Sequence, residues 1–282
     1  MRLEDETAVI RDGFPEAYAD LAVAVTHLGG PTAITIIVAV LFWVGPRRES
    51  ALVAGYTVAG LGLLMILKAL FDMPRPPESV HLVEFDEDPY GFPSGHAFVA
   101  TVVYGGLLVA YDRLREPAAV AGVVSLVVLI SYTRLVLGYH YLSDVIVGAI
   151  VGAAFLAILF RFTPPDPRIG FGLGLVLVPI AAVLTGGSEN TLLGMGAAIG
   201  GSVAVRYLSA IPPLRSPAEG VVLVAVGLAF LVAVSVLESA FVEPTFGLVG
   251  VVTSNTVLFA GLIFLPALVG RIQVSILDTA HS

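Results

Sequence analysis

The chain has 282 residues, 57% of them apolar and 13% charged, with a mean hydropathy of +0.95. Soluble domains run about 45–50% apolar and about 25% charged, so a water-soluble globule is excluded and the bilayer is the solvent. A formal net charge of −8 gives no basic face for nucleic acid, and the absence of cysteine excludes disulfides, thiolate metal sites and cysteine nucleophiles.

In chain order, the first residues carry Glu4, Asp5, Glu6 and Asp12 and lack the basic start of a cleaved signal peptide. Residues 1–30 read as an N-terminal interfacial segment, with 15–29 as an interfacial or re-entrant helix because Glu16, Asp20 and His27 interrupt it. Apolar runs long enough to cross about 30 Å of hydrocarbon as helix follow near 31–45, 50–70, 94–111, 117–137, 141–160, 169–185, 191–207, 217–238 and 246–270. Continuous rather than alternating hydrophobicity selects helices over a barrel. The fold class is therefore all-α, a polytopic membrane bundle of about nine spans. Small-residue spacings at Gly148/Gly152, Gly170/Gly174 and Gly196/Gly200 indicate close helix packing. The polar cluster Thr253 to Thr256 in the last span reads as glue across the bundle.

Arginine distribution orients the bundle, since short Arg-rich loops stay cytoplasmic. Arg47 and Arg48, Arg113 and Arg115, Arg161 and Arg168, Arg206 and Arg215, and Arg271 fall in every second connection or at the end of the chain. The connection 71–93 is instead acidic, with Asp72, Glu78, Glu84, Asp86, Glu87 and Asp88 against a single Arg75. It reads as external, and so does 134–144.

Ionisable residues at the edge of a membrane are costly and point to function. Three groups map to the external face: Lys68 with Arg75-Pro76, then Pro93-Ser94-Gly95-His96, then Arg134 with His140 and Asp144. Lys68 is the only lysine in a chain that otherwise uses arginine. Two arginines and a lysine supply forked and point-like positive charge for phosphoryl oxygens, and Ser94 with the Gly95 amide at a helix start adds donors. His140 and Asp144 are four apart, so on a helix they share a face, where the carboxylate holds one ring nitrogen protonated and leaves the other free to attack phosphorus. His96 comes from a different segment and suits protonation of the departing oxygen. His27, His81 and His281 lack such company and read as surface or loop residues.

These groups resemble the three signatures of the type 2 phosphatidic acid phosphatase (PAP2) superfamily: Lys-x6-Arg-Pro, Pro-Ser-Gly-His and Ser-Arg-x5-His-x3-Asp. Thr133 stands where the family has the serine of the third signature. The resemblance covers roughly 31–165 and implies a PAP2-like catalytic core there, leaving 166–282 as a four-helix extension without a chemical motif. It implies a helical bundle, a phosphohistidine intermediate and no metal or other cofactor. His140 then resembles the nucleophile, Asp144 its partner and His96 the general acid, while Lys68, Arg75, Ser94, Gly95 and Arg134 resemble the phosphate cradle.

The expected function is hydrolysis of a lipid phosphate or diphosphate at the outer face of the cell membrane, with a polyprenyl diphosphate ahead of phosphatidic acid or phosphatidylglycerol phosphate. Two alternatives are a lipid phosphotransferase that passes the phosphoryl group to an alcohol, and a transporter or flippase that only binds phosphate. The expected partners are the lipid substrate and membrane lipids.

Overall fold

The computed structural model describes residues 2–84, 88–239 and 247–280. His281, Asp86 and Glu87 lie outside the described residues, as does the side chain of Arg271. Among the described residues the chain is all-α, with one isolated bridge between Pro74 and Tyr90 as its only extended pairing. The helices are α1 (Glu4–Asp12), α2 (Ala19–His27), α3 (Pro31–Val44), α4 (Arg47–Phe71), α5 (Gly95–Ala110) and α6 (Pro117–Val136). They continue as α7 (Leu142–Phe162), α8 (Pro167–Leu184), α9 (Glu189–Ala204), α10 (Pro217–Ser239) and α11 (Gly247–Ala280). Proline opens α3, α6 and α8, where its missing N–H is no loss.

All nine stretches expected to cross the membrane are helical. Among the described residues, seven helices are long and apolar enough to span, and α2 with its 3-10 lead-in pairs with α3 across a 48° bend, either a broken span or a re-entrant loop. α5 is apolar but shorter, and a π turn at Thr101–Gly105 interrupts it. The centre of the bundle is α4, 67% buried over its apolar window, whereas α10 is 22% buried and faces outward.

Lipid tails are as apolar as leucine, so burial alone does not bring these helices together; close packing does. The three small-residue spacings each seat a partner. A Cβ on Gly170 would stand 2.5 Å from the carbonyl carbon of Gly55, which is how α8 lies against α4. One on Gly196 would stand 2.5 Å from the Asn255 Cβ, so α9 and α11 pack almost backbone to backbone. In the polar cluster of α11, Ser254 and Asn255 donate to the Val251 carbonyl and Thr256 donates to that of Val252, all within their own helix. Trp43, fully buried, ties α3 to α11 by donating from Nε1 to the Leu262 carbonyl at 2.9 Å.

Candidate active site

The first part of the site is built where α4 stops. Lys68 lies in its last turn, Asp72 takes a left-handed conformation after it (φ 45°), and Pro74, Pro76 and Pro77 prevent the helix from resuming. The chain doubles back so that Lys68, 2% exposed, meets the loop ahead of α5. A buried ammonium needs a counter-charge. It finds Asp88, whose two carboxylate oxygens each accept from Nζ at 2.8 Å, and the Tyr90 carbonyl at 3.2 Å. Arg75 grips the same residue, donating from Nε to the Asp88 carbonyl at 2.6 Å, with Nη2 3.4 Å from the carboxylate.

The second part is His140, buried between α6 and α7. Its Nδ1 lies 2.7 Å from the Gly91 carbonyl, and its Nε2 lies 3.1 Å from Arg75 Nη1. A carbonyl can only accept and a guanidinium can only donate, so the partners assign the tautomer: the proton sits on Nδ1, and Nε2 carries a lone pair toward the cations. Gly91 is fixed in place by its own packing, because a Cβ there would come 2.5 Å from the Pro74 carbonyl oxygen.

Asp144 sits differently from the expectation of a shared helical face. His140 precedes α7, whose N-cap Tyr141 is extended (ψ 160°), so the four-residue spacing is not a helical turn. Asp144 Oδ2 is 3.6 Å from His140 Nδ1, beyond the Gly91 carbonyl that takes the hydrogen bond. The carboxylate instead accepts from the Tyr141 amide at 2.8 Å, from Ser143 Oγ at 3.2 Å, and from Arg2 Nε and Nη2 at 3.1 and 2.7 Å. It braces the loop that carries His140 and adds its negative charge close behind the ring.

The third part opens α5. The Ser94 amide donates to the Asp144 carbonyl at 3.0 Å, which joins the starts of α5 and α7. α7 can come this close because Gly148 and Gly152 face α5; a Cβ on Gly148 would be 2.6 Å from the Ser94 carbonyl oxygen, and one on Gly152 would be 2.9 Å from that of Phe98. Ser94 is fully buried, and its Oγ has no hydrogen-bond partner among the described residues. A buried hydroxyl left so costs about 1–3 kcal/mol, which suits a donor kept for a ligand. Gly95 and His96 line a cavity of about 610 Å³ with Lys68, Arg75, Arg134 and His140. The Gly29-Gly30 break between α2 and α3 lets the backbone pack on His96; a Cβ on Gly29 would be 3.2 Å from its ring.

Arg134 is 1% exposed in the last turn of α6, its guanidinium 4.9 Å from the centre of the Tyr139 ring. Its carbonyl accepts from the amides of Tyr139 and His140, so the same residue caps its helix and shapes the loop that carries His140. Thr133 donates its hydroxyl to the Ile130 carbonyl at 2.6 Å. It therefore acts within its own helix, as a serine would.

All eight residues singled out from the sequence thus gather at one end of the bundle. Three more take part that no motif marked: Asp88 as the anion on Lys68 and Arg75, Gly91 as the acceptor for His140, and Arg2 as the fork on Asp144. His27 is exposed, as expected, yet also lines the cavity beside His96. His81, in its loop, stacks on Tyr139 at 4.2 Å. Chemically, the arrangement joins three cations, a neutral imidazole nitrogen facing them and a second imidazole across the cavity, which is what transfer of a phosphoryl group requires.

Residues 50–168 match the family model of the PAP2 superfamily. No curated protein and no solved structure matches the chain.

Proposed function

We propose, taking as premise that the chain belongs to the PAP2 superfamily through residues 50–168, a family of phosphatases acting on phosphate esters, that it hydrolyses a lipid phosphate or diphosphate. The observation that carries this reading is the carboxylate of Asp88. Held at 2.8 Å by Lys68 and gripped by Arg75, an anion already sits in the cradle beside the lone pair of His140 Nε2. A substrate phosphate exchanges for that carboxylate, its oxygens taken by Lys68, Arg75 and Arg134, with Ser94 Oγ and the Gly95 amide as further donors.

Nε2 of His140 attacks phosphorus as the bond to the leaving oxygen breaks, and His96 gives that oxygen its proton. Nδ1 keeps its proton and donates a hydrogen bond to the Gly91 carbonyl, and Asp144 offsets the positive charge on the phosphorylated ring. Water, deprotonated by His96, then attacks the phosphohistidine; the phosphorus–nitrogen bond breaks, inorganic phosphate leaves and His140 is restored. Catalysis here is positioning plus charge, the role that cations fill for a transferring phosphoryl group.

The cavity beside the cradle favours a lipid ester, and a polyprenyl diphosphate heads the substrate classes. Purified protein in detergent, given a panel of lipid phosphates and diphosphates, is expected to release inorganic phosphate with or without added alcohol, and His140→Ala is expected to release none. Phosphate recovered only as a new ester in the presence of alcohol would instead establish a phosphotransferase, and no turnover of any substrate would leave a binding protein.

A further inference from the structure

The cavity that ends on Lys68, His96 and His140 does not stop at the membrane surface. It runs along α4 from Lys68 back to Ser50, eighteen residues, or about 27 Å of helix. That is nearly the full hydrocarbon thickness of about 30 Å and well past the midplane. The apolar part of its lining includes residues of four helices: Val38 on α3, Leu61 on α4, Leu193 and Ala197 on α9, and Leu262 and Ile263 on α11. Three of those four helices fall outside residues 50–168, so part of the chamber wall comes from outside the segment that carries most of the cradle. At about 610 Å³ the space is in the range of ligand sites, about 300–1,000 Å³.

We infer that this chamber holds the hydrocarbon chain of the substrate, and that α9 and α11 form its wall and set which chains fit. The inference rests on the proposed phosphatase reading and extends it to a long-chain substrate whose tail passes the midplane. Continuity with the cradle selects the occupant: a phosphate seated on Lys68 and Arg75 leaves its ester oxygen facing a cavity with a polar mouth and an apolar depth. Transfer of a tail from lipid into this chamber gains little, because both are apolar. Selection therefore comes from shape, and a tail too bulky for the walls is rejected.

The test is Ala197→Phe, which fills the chamber from α9 and leaves the cradle untouched. In detergent, kcat/KM for a long-chain isoprenyl phosphate is expected to fall about tenfold or more, while that for p-nitrophenyl phosphate, which has no tail, stays within about twofold of wild type. Equal retention of both activities overturns the inference. If both are lost, wild-type protein photolabelled by a lipid phosphate with a diazirine at the end of its chain decides. Labelled peptides from 189–204 or 247–270 uphold the chamber, and labelling only elsewhere, or none, overturns it. Turnover of p-nitrophenyl phosphate by wild type separates the two readings, since its absence would count against the phosphatase and the photolabel would still report on the chamber.

Discussion

His140 lies between the spanning helices α6 and α7, and its environment fixes when it can act. Burial first, then the charges of Arg75, Arg134 and Lys68, holds its pKa well below the ordinary imidazole value. An imidazole with a lowered pKa stays neutral as pH falls past about 6.5, so the acid limb of kcat/KM, corrected for ionisation of the substrate, is expected below that value. A limb at or above it would contradict the assignment. The same shift makes the unfolded chain bind the proton first, so this group's contribution to stability is present above about pH 6.5 and declines as pH falls below it. Asp88 gives a second prediction. If its carboxylate competes with phosphate for Lys68 and Arg75, then Asp88→Asn tightens inhibition by vanadate about tenfold, a gain of about 1.4 kcal/mol. Unchanged or weaker inhibition would mean that Asp88 only orders the cations. Lys68, Arg75, His96, Arg134 and His140 were legible in the sequence because their chemistry resides in the side chain itself. Asp88 was one acid among six in a loop, and Gly91 acts through its carbonyl, so their roles depend on how the chain returns on itself after Pro77.

At the scale of elements, the site depends on how closely α5 and α7 approach. Gly148→Ala puts a Cβ where the Ser94 carbonyl oxygen now lies 2.6 Å away, so one helix must move and the Ser94–Asp144 link must stretch. Activity is expected to fall about tenfold, with a stability loss of about 1–3 kcal/mol from overpacking. Gly122→Ala is the control: it sits on the exposed face of α6 with nothing within 4 Å, and it is expected to leave activity unchanged. Thermal unfolding and turnover of the two variants check this, and equal activity in both would remove close packing from the account. Helix positions were legible because runs of apolar residues bounded by proline, glycine and charge admit little else in a bilayer. The small-residue spacings showed that helices approach one another, but not which ones. Gly148 faces Ser94 only because α7 turns that side to α5, which no local pattern encodes. The His140–Asp144 spacing misled for a related reason, since the extended Tyr141 starts the helix one residue too late for the two to share a turn.

Across the whole molecule, the three signature groups meet at one end of the bundle, and the arginine pattern carries the expectation that this end faces out of the cell. A cysteine introduced at exposed Glu84 is expected to react with an impermeant maleimide in intact cells, and one at exposed Arg113 is not. The reverse pattern would turn the site toward the cytoplasm and end the case for an external lipid carrier. The bundle and its candidate site were legible because charge asymmetry and motif order are properties of the chain. The chamber was not, because its walls come from helices far apart in sequence, brought together by contacts such as those of Gly196 and Gly200 on α9 against α11 and the Trp43–Leu262 hydrogen bond between α3 and α11. The central proposal is that Nε2 of His140 takes the phosphoryl group. Its test is acid-free trapping of labelled phosphoenzyme, with p-nitrophenyl phosphate and a lipid phosphate as donors, in wild type, His140→Ala, His96→Ala and Asp144→Asn. Label is expected in wild type, none in His140→Ala with either donor, label in His96→Ala chiefly from p-nitrophenyl phosphate, whose leaving group needs no proton, and a reduced rate in Asp144→Asn. Label retained on His140→Ala, or equal loss in both histidine variants with both donors, would contradict it.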